Sequence, residues 1–83
     1  MKLLDFAEEN GWWRFRFGGG DDFTEALLAL KRIPLIERQY RPDQKQLWEV
    51  RVSEANHTAL AGIFENFENC LAILKASVRL PGF

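Results

Sequence analysis

At 83 residues, 47% of them hydrophobic and 28% charged, the chain is sized for one small domain with a single core, and its seven Phe and three Trp bring much of the large apolar surface. A formal net charge of −1 argues against a protein that coats nucleic acid through bulk charge, the single cysteine excludes an intramolecular disulfide, and no apolar run nears the roughly 20 residues that span a bilayer. Met1-Lys2-Leu3-Leu4 meets Asp5, Glu8 and Glu9 before a signal-peptide core can form, so a cytoplasmic protein is expected, nuclear if eukaryotic, without a membrane partner.

In chain order, Leu3 to Ala7 reads as a first strand, Asn10-Gly11 as a tight turn, and Trp12 to Phe17 as a second strand. Side chains of a strand leave on alternate faces, which puts Trp13, Phe15 and Phe17 toward a core and Trp12, Arg14 and Arg16 on the opposite side. Gly18-Gly19-Gly20 ends the sheet, and Asp22-Phe23-Thr24-Glu25 has the spacing of a capping box at the start of a helix. Phe23, Ala26, Leu27 and Leu30 give that helix one apolar face, and Pro34 stops it.

A second hairpin is expected from Leu35 to Tyr40 and from Leu47 to Val52, joined by the loop from Arg41 to Gln46. Trp48, Val50 and Val52 form its inner face and Leu47, Glu49 and Arg51 its outer one. Ile36, Arg38 and Tyr40 share a parity, so either Arg38 lies over the sheet edge or a bulge resets the register. Ser53 is an N-cap for a last helix, in which Leu60, Ile63, Phe64, Phe67, Leu71 and Leu74 fall on one stripe that ends before Pro81. These elements make one α+β domain over residues 1–83, ββαββα, an antiparallel sheet of about four strands with two helices on one face and the other face open.

Signatures of catalysis are close to absent. His57 has no cysteine or histidine partner at ligand spacing, which leaves it a surface residue early in a helix and makes a zinc site or any other metal improbable. The glycine triplet lacks the GK[ST] of a phosphate-cradling loop. Ser53, Ser77 and Cys70 have no base placed beside them, and Cys70 reads as a small buried hydrophobe. No cofactor and no small-molecule substrate are expected, and the chain does not read as an enzyme.

The open sheet face remains. From Lys31 to Arg51 six cations stand against three carboxylates, an excess of three. Trp12, Arg14, Arg16 and Arg51 on the sheet, continued by Arg41 and Lys45 on the hairpin loop, are the candidate nucleic-acid contacts: arginines neutralise phosphates while an indole stacks on a base. The competing account pairs these arginines with Glu37 and Glu49 across strands and covers Trp12 in part.

The order "WRFRF", then "FTEALLALKRIP", then "RQYRPDQKQLWEVRVSE", then "HTALAGIF" resembles the HARP domain, the HepA-related module beside the ATPase motor of annealing helicases in the Swi/Snf-like superfamily. The likeness covers about residues 12 to 64. It places Trp13 to Phe17, Leu27, Leu30, Ile33, Pro34, Tyr40, Lys45, Trp48, Val50 and Leu60 at the pattern positions. It implies a reader of junctions between single-stranded and double-stranded DNA, with Trp12, Arg14, Arg16, Arg41 and Lys45 as contacts. Pro42 between Tyr40 and Asp43, the acidic total charge and a chain too short for an ATPase motor depart from the pattern. The expectation is an excised domain or a free-standing relative that binds single-stranded or forked DNA. The alternative is a protein-interaction module, with the apolar stripe through Phe67, Leu71, Leu74 and Val78 as a surface for a partner protein or a second copy.

Overall fold

The computed structural model describes residues 1–18 and 20–79, with side chains through residue 76. Strands β1 (Leu3–Glu9) and β2 (Trp12–Phe17) lead to helix α1 (Phe23–Leu30); a 3₁₀ turn (Leu35–Glu37), strand β3 (Arg38–Arg41), a second 3₁₀ turn (Pro42–Gln44) and strand β4 (Leu47–Arg51) follow, then helices α2 (Glu54–Ile63) and α3 (Phe67–Arg79). The four strands form one antiparallel sheet in the order β1-β2-β4-β3. The α+β architecture with helices on one face of the sheet is therefore the observed one, with three helices where two were expected.

Asn10 and Gly11 both take positive φ, 54° and 82°, the conformation whose twist matches a two-residue hairpin. The alternation in β2 holds: Trp13 and Phe15 are buried while Trp12, Arg14 and Arg16 stay partly exposed on the other face. The core lies between Trp13, Phe15, Trp48 and Val50 of the sheet and Leu30, Leu60, Phe64, Phe67 and Leu71 of the helical layer. A bulge does exist, but in β1, where pairing slips between Leu3↔Phe17 and Asp5↔Arg16. The extra residue, Leu4, is exposed, and the slip lets Leu3 and Phe6 both reach the core despite their opposite parity.

Pairing of β3 with β4 is regular from Arg38↔Val50 to Arg41↔Leu47. Arg38 therefore lies on the helix side at the sheet edge, where its Nε donates to the carbonyl of Ile33 (2.7 Å) and Nη2 to that of Lys31 (3.2 Å). These are carbonyls left over where α1 ends, and a guanidinium satisfies them. The expected strand from Leu35 is shortened because Leu35–Glu37 closes a 3₁₀ turn directly after Pro34. The outward assignments in β4 hold for Glu49 and Arg51; Leu47 is buried and Val52 is 36% exposed, the reverse of their expected environments.

The capping box does not form. Asp22 occupies the N-cap position of α1 without a side-chain cap bond, because its carboxylate accepts from the Met1 ammonium at 2.7 Å, and that hydrogen bond holds its carboxyl below the ordinary range. Ser53 does cap α2, accepting from Asn56 N–H.

The single long C-terminal helix is the main correction: the chain leaves helical geometry at Phe64 and re-enters it at Phe67. The break is held from a distance. Leu3 N–H donates to Asn66 Oδ1 (2.8 Å), Asn66 Nδ2 donates to Leu3 C=O (3.1 Å), and Glu65 N–H donates to Met1 C=O (3.1 Å). The Asn66 amide thus stands in for a neighbouring strand at the outer edge of β1. Asn66→Ala should cost about 1–3 kcal/mol in urea unfolding, because it strands one donor and one acceptor in a partly buried place; Asn66→Asp, which keeps only the acceptor, should fall between wild type and Ala.

Candidate nucleic-acid interface

All six candidate contacts share one region, the sheet face turned away from the helices and the hairpin loop at its border. Register aligns them: Trp12 lies opposite Arg51 and Arg14 opposite Glu49 across β2 and β4, and Gln39 lies opposite Glu49 across β3 and β4. The Arg51 guanidinium stands over the Trp12 ring at 5.0 Å from its centroid, a cation–π pair. Trp12 is half-buried and Arg51 exposed.

The remaining arginines are engaged within the face. Glu49, whose side chain is 12% exposed, accepts from Arg14 Nε at 3.0 Å and from Arg41 Nε at 2.8 Å, one on each carboxylate oxygen. Arg14 also donates to Glu9 (2.7 Å) and to the Gln44 side chain (3.3 Å). Arg16 reaches the hairpin loop, donating to the carbonyls of Lys45 (3.0 Å) and Gln44 (2.7 Å), and pairs loosely with Asp5 at 3.5 Å. Those carbonyls are presented because the chain after the second 3₁₀ turn runs through positive φ at Lys45 and Gln46. The loop is therefore laced to the sheet by arginine.

Cross-strand pairing with Glu49 is as the competing account had it, while Glu37 is elsewhere, accepting from the buried Asn56 amide at 3.0 Å. The face and its loop carry Arg14, Arg16, Arg41, Arg51 and Lys45 against Asp5, Glu9, Asp43 and Glu49, an excess of one. Arg51 and Lys45 enter no ion pair among the described residues. A shallow depression of about 260 Å³ opens between Trp12, Arg14, Arg41 and Glu49. An arginine has five N–H donors, so even the paired guanidiniums keep donors that a phosphate oxygen can use.

The other residues weighed for chemistry lie apart from this face. His57 is half-buried: its Nε2 meets Glu68 at 2.9 Å and its ring stands edge-on to Phe67 at 5.2 Å, so it fastens α2 to α3. Cys70 is partly buried against the core. Among the described residues, no cluster of three or more His, Cys, Asp or Glu is arranged to hold a metal ion, and no helix is long and apolar enough to cross a membrane. The sequence grouped these arginines on one face, yet did not point to Gln44 or to the loop carbonyls they hold, because those contacts depend on backbone geometry with no residue signature of its own. Comparison with protein families, with curated proteins and with solved structures finds no match to this chain.

Proposed function

We propose that this protein is a non-catalytic binding module that takes single-stranded or forked DNA on its open sheet face. The observation that carries the reading is the Trp12–Arg51 pair at one end of that face, with Lys45 on the loop at the other end, neither cation in an ion pair among the described residues. Trp12 is the stacking platform; Arg51 and Lys45 meet phosphate first, and Arg14, Arg16 and Arg41 add their unused donors. The HARP-like order of elements supports the same reading and is the source of the preference for forks.

Internal pairing sets the strength. With only Arg51 and Lys45 outside ion pairs among the described residues, binding should be weak, and log K should fall against log salt with a slope of only about −1 to −2 on a single strand. Anisotropy titration with labelled single-stranded, forked and duplex DNA, and with single-stranded RNA, at low salt tests it. Trp12→Ala should weaken single-strand binding by about 1–3 kcal/mol. Glu49→Gln, which removes the carboxylate shared by Arg14 and Arg41, should strengthen it, by about threefold. Absence of binding to every probe at about 100 μM protein, an affinity weaker than roughly −5.5 kcal/mol, would end the proposal.

The alternative reading, a partner protein on the C-terminal stripe, has less to rest on. Phe67 and Leu71 are spent in the core, leaving Ile73, 60% exposed, and half-buried Leu74 on that helix; Val78 lies outside the described side chains.

A further inference from the structure

The two edges of the sheet differ. The edge of β1 is occupied near its start by the Asn66 amide and flanked by Asp5, Glu8 and Glu9. Among the described residues the edge of β3 has no such cover: its one strand neighbour there is β4, and no backbone group of another segment bonds to Arg38–Arg41 outside that pairing. Leu35 and Ile36, 76% and 83% exposed, stand where the chain enters this edge. A strand with one unpaired edge, flanked by bare apolar side chains, is a template for another extended chain.

On the helix side of the same edge, a groove of about 380 Å³ runs between α1 and the sheet. Its wall is a continuous series of rings. Phe23 lies 5.5 Å from Phe17, Phe17 6.3 Å from Trp48, and Trp48 4.8 Å from Tyr40. Leu27, Gln46, Lys31 and Arg38 complete the lining, and no carboxylate belongs to it. The depression on the opposite face is lined by Arg14 and Arg41 but also by Glu9 and Glu49, whereas the groove beside the open strand holds two cations with no carboxylate in its lining.

We infer that the β3 edge and this groove accept an extended acidic peptide segment of a partner protein, which adds to the sheet as a fifth strand and places one bulky apolar side chain among Phe23, Tyr40 and Trp48. Backbone pairing supplies affinity, the groove selects the apolar residue, and Lys31 and Arg38 select carboxylates. The groove lies on the helix side, opposite the proposed DNA face, and the strand edge shares only Arg41 with it, so either reading can fail alone.

The probe is a fluorescein-labelled ten-residue peptide alternating Glu with Val around one central Phe, titrated with the intact protein at low salt. Saturable binding is expected, tighter by about tenfold than for the same peptide with Lys in place of Glu, together with amide shifts in residues 38–41 and in the Trp48 indole. N-methylation of the peptide on alternate amides of its pairing edge should abolish binding. Lys31 is exposed and outside the core, so Lys31→Glu should keep its Tm and weaken binding by about fivefold. Equal binding of the Lys peptide, equal binding of the N-methylated peptide, shifts centred on Trp12, or an edge already filled by a second copy in sedimentation would each overturn the proposal. Retention of labelled single-stranded DNA by the peptide-saturated protein would place the two ligands on separate faces; mutual displacement would overturn the assignment of the peptide to the β3 edge.

Discussion

Trp13→Ala is expected to cost about 3–5 kcal/mol, which for a domain of this size is a large part of a total stability of about 4–12 kcal/mol. Trp13 is 3% exposed and central to the core. It meets Phe67 edge-on at 5.3 Å and His57 at 6.2 Å. Truncation would empty a space bounded by the sheet on one side and α2 and α3 on the other, which cannot close without moving both helices. Trp13→Phe should be far milder, within about 1 kcal/mol, because the buried indole Nε1 has no hydrogen-bond partner among the described residues and removing that donor offsets part of the lost area. The neighbouring residue sets the contrast. Trp12 is half-buried on the open face, so Trp12→Ala should shift the urea midpoint little. Equal losses for the two tryptophans would mean that β2 is slipped by one residue, which exchanges its faces.

That test bears on what could be read from the chain alone. Strand β2 was legible because its period of two is strict over Trp12–Phe17 and both faces have a chemical identity, and Asn10-Gly11 because few residue pairs accept positive φ twice. The division between α2 and α3 was not. Leu60, Phe64, Phe67 and Leu71 keep helical spacing straight through the break, so periodicity continues where the backbone does not. What interrupts the helix is Leu3, 63 positions away from Asn66, and no local pattern encodes a bond of that range. Asp22 failed as a capping residue for the same kind of reason, a distant ammonium winning over a nearby amide. On the open face, residue types indicated the arginines and register supplied their partners. Whether Arg14 and Arg41 face phosphate or share Glu49 depends on strands β2, β4 and β3 lying side by side in that order.

The consequence of the broken helix is sharpest at Phe67. It is the first residue of α3, fully buried, and its ring meets Phe6 at 5.5 Å, Trp13 at 5.3 Å and His57 at 5.2 Å, all edge-on. Among the described side chains of α3 it is, beside Leu71, the main anchor in the core, because Leu74 is only half-buried and Ile73 faces outward. Phe67→Ala should therefore cost about 3–5 kcal/mol, with circular dichroism losing helical signal and hydrogen exchange quickening along α3 before it does in β2 and β4, as expected when one unit has lost its dock. Ile73→Ser on the exposed side should stay within about 0.5 kcal/mol. An unchanged midpoint for Phe67→Ala, with a change in sedimentation instead, would place this ring at a surface between molecules and return the C-terminal stripe to the role of an interface.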